Sequence, residues 1–238
     1  MFCDVHSHVI WGVDDGAAAF ERAQQLLREC EKDGIDTIIT TPHVTPGRQP
    51  FPEERYLRHF EDTQRWLSDN GIAIRLYRGA EILYTSSYTG RFLQERRLRG
   101  LAELPYILME FMPGDPLERI RKALMEIGCA GYTPVIAHIE RYACLKKTET
   151  AAELKAEFGA LIQVNAHTVT EKPPFFRKKF IRGLFEEELV DFVGTDTHDM
   201  DSRHPNMTAA YEKLSDWLGE DKARALTGGN IRAILEKG

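Results

Sequence analysis

Short apolar runs recur along the chain at positions 2–5, 37–40, 73–77, 106–109, 134–137, 160–164 and 190–194. Each is continuous rather than alternating, which predicts parallel strands covered on both faces. Between them, apolar residues recur at spacings of three and four. Phe20, Ala23, Leu27 and Cys30 form one such helical stripe, with Gly34 as its expected stop. Leu117, Ile120, Leu124 and Ile127 form a second, with Gly128 as its expected stop. Leu57, Phe60 and Leu67 give a weaker stripe, and Met207, Ala210, Leu214 and Trp217 supply another near the end. Strand and helix alternate about seven times, which predicts right-handed crossovers and a parallel sheet. No linker or low-complexity stretch interrupts the pattern, so a single domain over 1–238 is expected.

Composition narrows the function. With 238 residues and 42% hydrophobic content the chain can bury a sizeable core. No uncharged apolar run approaches the roughly 18 residues of a membrane span. No basic segment followed by an apolar one opens the chain, so no signal peptide is expected. Cys3, Cys30, Cys129 and Cys144 show neither a CxxC pair nor a disulfide-like rhythm, which suits a reducing cytoplasm. Net charge is −6 and no dense basic run stands out, which disfavours generic nucleic-acid binding.

The histidines and carboxylates fall at strand ends. "DVHSH" places His6 and His8 two residues apart, on one face of a strand. His43 follows the second run in "TTPH", Glu81 follows the third in "RGAEI", and Glu110 ends the fourth in "ILMEF". His138 ends the fifth in "PVIAH"; Asp196 and His198 end the seventh in "VGTDTH". All lie at carboxyl ends, which converge on one mouth in a barrel. An open sheet would keep the first and last strands apart, so a closed or nearly closed barrel of about seven strands is expected. One such histidine is ordinarily a satisfied core residue; five of the chain's 8 at such ends point to metal. Of the others, His59 lies in a charged helical stretch and is expected on a solvated face. His167, in "QVNAHT", is expected to border the mouth, and His204 adjoins Arg203 in a loop.

"DVHSH", "VDDG", "TPH", "GAEI", "MEF", "AHIERY" and "GTDTHD" resemble, in order, the motifs of the PHP (polymerase and histidinol phosphatase) superfamily. More narrowly the chain resembles, over essentially its whole length, the bacterial manganese-dependent protein-tyrosine phosphatases of capsular and exopolysaccharide operons. The resemblance implies an α/β fold, a distorted seven-stranded parallel barrel of PHP type holding three divalent ions. It implies as ligands His6, His8, Asp15, His43, Glu81, Glu110, His138, Asp196 and His198. Asp15 rather than Asp14 matches the family's aspartate. Arg141 and Arg203 match its phosphate-binding arginines. It also implies a cytoplasmic partner, the phosphotyrosine-containing tail of a bacterial tyrosine kinase. Ile139 stands where many relatives have proline, Val44 where they have a second histidine, and "NAHT" replaces a small-residue motif. These departures bear on the shape of the mouth.

Three divalent ions against the four carboxylates of that set leave a net charge of about +2, suited to a phosphate monoester dianion. Nitrogen and oxygen ligands without sulfur suit manganese, iron or zinc. Trp11, beside the first motif, could pack against an aromatic leaving group, plug the mouth or sit in the core. Three rivals remain open: a PHP phosphoesterase acting on histidinol phosphate or another small monoester, an amidohydrolase-type metallohydrolase, and a non-catalytic regulatory module. In the second, Glu110 would stand where a bridging lysine is common. A cysteine-based phosphatase is excluded, because none of the four cysteines has an arginine six positions later.

Overall fold

The computed structural model describes residues 1–48, 50–171 and 174–237. Every expected apolar run overlaps a strand, and two shorter strands join them. They are β1 Phe2–Ser7, β2 Ile35–Thr40, β3 His43–Val44, β4 Arg75–Arg78, β5 Glu81–Leu83, β6 Tyr106–Glu110, β7 Thr133–Ile136, β8 Leu161–Asn165 and β9 Phe192–Gly194. All pairings are parallel, in the orders β1-β2-β4 and β3-β5-β6-β7-β8-β9. The sequence places His43 and Glu81 just after the second and third apolar runs. They begin β3 and β5 and pair with each other across the sheet. The short breaks at Thr41–Pro42 and Gly79–Ala80 hid these strands, since neither is long enough to show a period.

Among the described residues ten α-helices lie between or after the strands. They are α1 Phe20–Lys32, α2 Glu53–Asp69, α3 Ser87–Gln94, α4 Leu117–Cys129, α5 Thr148–Phe158, α6 Ala166–Thr170, α7 Phe175–Glu186, α8 Met207–Leu218, α9 Glu220–Arg224 and α10 Asn230–Leu235. The stripes in α1 and α4 are buried as the periodicity requires. Gly128 does not stop α4. The helix runs one residue past it, and Gly131, at φ +84°, makes the left-handed turn while Tyr132 N–H donates to Ile127 O at 3.1 Å.

The sheet curls until its first and last strands meet. Ser7 bridges Thr197, His8 N donates to Thr197 O at 2.9 Å, and Asp196 N donates to His6 O at 2.8 Å. Asp4 reinforces the seam by accepting from Thr195 N at 2.9 Å. Gly194 permits the approach, because a Cβ there would lie 2.8 Å from the His6 Cβ. Inside the curl, Cys3, Val5, Ile39, Leu108, Val135 and Phe192 meet from five strands. The larger core lies between sheet and helices, with Leu27, Ile38, Ile82, Ile120 and Ile136 fully buried. No described helix is long and apolar enough to cross a membrane.

Candidate metal centre

Because the strands are parallel, their carboxyl ends share one rim, and the nine expected ligands gather around it, His43 and Glu81 from the starts of the short strands β3 and β5. Donor atoms form three adjoining groups: His6, His8, Glu81 and Asp196; His8, Asp15, His43 and His198; and His43, Glu81 and Glu110. His8, His43 and Glu81 each belong to two groups. His138 stands beside them, its Nε2 2.8 Å from Glu81 Oε1 and 3.8 Å from Glu110 Oε1.

The distances show how tightly the atoms converge. His6 Nε2 lies 3.2 Å from His8 Nε2. Glu81 Oε2 lies 3.1, 3.3 and 3.0 Å from His6 Nε2, His8 Nε2 and His43 Nδ1. Asp15 Oδ1 lies 3.3 Å from His43 Nε2 and 3.4 Å from His198 Nε2. Yet the buried Glu81 Oε2 and His198 Nε2 have no hydrogen-bond partner. A buried polar atom without a partner costs about 1–3 kcal/mol unless something else engages it. Converging imidazole and carboxylate lone pairs suit divalent cations, so the residues present fit such ions.

Electrostatics supports the same reading. Burial would raise Glu81, but His6, His138 and His43 hold it well below the usual carboxylate range. Burial also opposes charge on Asp196, where His6 prevails and keeps the group ionised. Glu110 is raised, first by burial and then by the charge of Glu81. Two candidate ligands sit in left-handed backbone, His138 at φ +32° and Asp196 at φ +56°. Non-glycine residues keep such conformations where the surroundings over-determine them, commonly at functional sites.

A supporting layer escaped the sequence reading. Asp14 Oδ2 lies 2.7 Å from His8 Nδ1 and accepts from His43 N at 3.1 Å. Gln163 Oε1 lies 3.2 Å from His6 Nδ1 and accepts from His138 N at 2.7 Å. Tyr142 Oη lies 3.2 Å from His138 Nδ1, and Asn165 Nδ2 donates to Asp196 Oδ2 at 2.8 Å. Such partners orient imidazoles and set their tautomers. The signal was present: Gln163 and Asn165 are polar positions inside an otherwise apolar strand. Asp14→Asn is expected to weaken divalent-metal affinity by roughly 10–100-fold while leaving the fold intact. Calorimetric titration with manganese checks this; unchanged affinity would show that Asp14 does not position His8.

Arg141 and Arg203 lie at the same rim. Arg141 donates to Asp196 Oδ2, and Arg203 Nη2 donates to Asp15 Oδ2 at 3.3 Å. Both line a cavity of about 150 Å³ with His167, Arg177 and Asp196. His167 borders the mouth as expected, its Nε2 3.0 Å from His204 O. His204 is exposed in the adjoining loop. His59 is not on a solvated face. It is buried in α2, its Nδ1 2.8 Å from Trp11 O, and its ring lies parallel to Trp11 at 3.3 Å between centroids. Trp11 also packs on Phe20. The charges around His59 face outward, while its own position falls on the buried stripe with Tyr56, Phe60 and Thr63.

Comparison with known proteins agrees with this geometry. A family model described as capsular polysaccharide synthesis, CpsB/CapC, matches residues 2–236. The tyrosine-protein phosphatase CpsB of Streptococcus pneumoniae is 34% identical over 238 residues, covering 98% of this chain and 97% of its own. A crystal structure reported with YwqE from Bacillus subtilis and CpsB from Streptococcus pneumoniae, described as metal-dependent tyrosine phosphatases, superposes with a TM-score of 0.87. Its identity is 26%, and the match covers 98% of this chain and 94% of that one. A histidinol phosphate phosphatase from Lactococcus lactis superposes with a TM-score of 0.54 at 14% identity, over 92% of this chain and 93% of that one, a likeness of fold alone.

Proposed function

This chain belongs to the capsular polysaccharide synthesis CpsB/CapC family, and we propose that it is a metal-dependent protein-tyrosine phosphatase. The observation that carries the reading is the convergence of five histidines and four carboxylates beside two arginines on one rim. The proposed ligands are His6, His8, Asp15, His43, Glu81, Glu110, His138, Asp196 and His198, holding three divalent ions, with manganese preferred over iron or zinc. In the proposed fold the interrupted pairs β2/β3 and β4/β5 each count once, giving a seven-stranded PHP-type barrel. The protein is proposed to act as one domain in the cytoplasm, on the phosphorylated tail of a bacterial tyrosine kinase.

Bound divalent ions supply Lewis-acid charge and lower the pKa of water from ~15.7 toward ~7. The chain's own residues do the rest. Arg141 and Arg203, which both line the cavity, would present guanidinium forks to the phosphoryl oxygens. Asn165 and Arg141 hold Asp196 through one oxygen and leave the other directed at His6 and His8. Asp14, Gln163 and Tyr142 keep three imidazoles oriented. A departing tyrosine oxygen, with an ordinary pKa of about 10, needs little help from an acid. The cysteines stand apart from this chemistry, and burial pushes the Cys3 thiol up to about 12.

The test compares phosphotyrosyl peptide, phosphoseryl peptide and histidinol phosphate under manganese. Phosphotyrosyl peptide is expected to give the highest kcat/KM. If histidinol phosphate is much the better substrate, the assignment passes to a small-molecule phosphoesterase.

A further inference from the structure

The first turn of α7 presents an unusual surface. Phe180, Ile181, Leu184 and Phe185 bury its inner face. Ahead of them, Phe175 and Phe176 are 73% and 84% exposed, their rings edge-on at 5.7 Å. Arg177, Lys178 and Lys179 follow, all exposed and, among the described residues, outside any ion pair. Five consecutive residues thus combine two bare aromatic rings with three cations, on a chain whose net charge is −6. Water-exposed phenylalanines are costly to keep, and side by side they mark an interaction surface.

Arg177 joins this surface to the rim of the candidate metal centre. Arg177 lines the same cavity of about 150 Å³ as Arg141, Arg203 and Asp196. A phosphoryl group held by Arg141 and Arg203 would leave the polypeptide carrying it beside Arg177, with the aromatic pair and the lysines next along the helix. We infer that the first turn of α7 is a docking surface for the acidic segment flanking the phosphotyrosine of a protein substrate. Its cations meet the flanking carboxylates, and Phe175 and Phe176 take apolar side chains of the same segment. This rests on the phosphatase reading and deepens it. The metal centre and Arg141 and Arg203 recognise the phosphoryl group, while α7 recognises the polypeptide around it.

The experiment separates the two layers with Phe175→Ser/Phe176→Ser and Lys178→Glu/Lys179→Glu, all exposed positions outside the candidate ligand set and the cavity lining. Each variant is assayed on p-nitrophenyl phosphate and on phosphotyrosyl peptides with acidic or neutral flanks. The acidic-flank peptide is expected to show a KM raised roughly tenfold in both variants at unchanged kcat. Turnover of p-nitrophenyl phosphate is expected to match the wild type. Anisotropy of a labelled, unphosphorylated acidic peptide reads the surface without turnover and is expected to show weaker binding in both variants. Unchanged KM and unchanged anisotropy would overturn the inference, as would an equal loss on all three substrates. Loss of binding to phosphatidylserine vesicles, or a changed sedimentation coefficient, with peptide KM unaltered would assign the patch to a membrane or to a second copy instead. A wild type inactive on every phosphotyrosyl substrate would overturn the activity reading, while the anisotropy result still decides the docking surface.

Discussion

Glu81→Gln is expected to abolish most turnover and to lower the number of divalent ions that copurify. Glu81 is buried at the centre of the cluster. Its Oε2 lies within 3.3 Å of His6, His8 and His43 nitrogens, and its Oε1 lies 2.8 Å from His138 Nε2. Glutamine keeps the shape but removes the charge that two donor groups share. The loss should exceed the roughly 10–100-fold typical of a residue that only orients a ligand. Exhaustive chelation of the wild type should reproduce the defect, and added manganese should reverse it. Metal analysis by mass spectrometry alongside turnover checks both; full metal content with full activity in Glu81→Gln would refute its role.

The same cluster sets a pH dependence. Burial alone would lower the His8 pKa, but Asp14 and Glu81 outweigh it and push the group up to about 10 in the absence of metal. This raised pKa favours the doubly protonated imidazolium, and ligation requires the neutral ring. Loading with manganese is expected to release protons, and apparent affinity should rise with pH toward that value and fall as pH drops. Proton release followed in a weakly buffered indicator measures it. Uptake without proton release would show that His8 is not displaced from its protonated state.

Arg141→Ala is expected to lower kcat/KM for a phosphotyrosyl peptide by about ten- to a hundredfold. One charge-assisted phosphate contact contributes roughly 1.5–3 kcal/mol, and the loss appears in rate when the contact strengthens in the transition state. Arg141 also donates to Asp196, so its removal loosens a candidate ligand and should cost more than Arg203→Ala. The Arg203 side chain bonds only the exposed Asp15 among the nine, and its backbone bond to His198 N survives truncation, so Arg203→Ala should leave metal content near wild type. Arg141→Lys keeps the charge without the planar fork and should rescue only part of the activity. Wild-type kcat/KM in Arg141→Ala would remove it from the phosphate site.

The apolar runs were enough to locate seven strands and the α1, α2, α4 and α8 stripes, because buried parallel strands and amphipathic helices each leave a periodic record. His6, His8, His138, Asp196 and His198 were legible as a set because they recur where such runs end. Elements without a period were not legible. Strands β3 and β5 are two and three residues long. The start of α4 showed, but its end was set by the left-handed turn at Gly131 rather than by the first glycine. His59 reads as charged surface from its neighbours, yet it falls on the buried stripe of α2 with Tyr56, Phe60 and Thr63 and stacks on Trp11.

Tertiary structure alone decided the rest. Proximity of β1 and β9 rests on hydrogen bonds between residues about 190 positions apart, with Gly194 small enough to admit His6. The partners of the imidazoles, Asp14, Gln163 and Tyr142, are defined by direction at 2.7–3.2 Å. The basic, aromatic start of α7 gains its meaning only from Arg177 lying in the cavity of Arg141 and Arg203. A linear sequence records which side chains want burial or a strand end. It does not record which of them end within a few ångströms of each other, because curl, closure and loop path are set by packing of the whole chain.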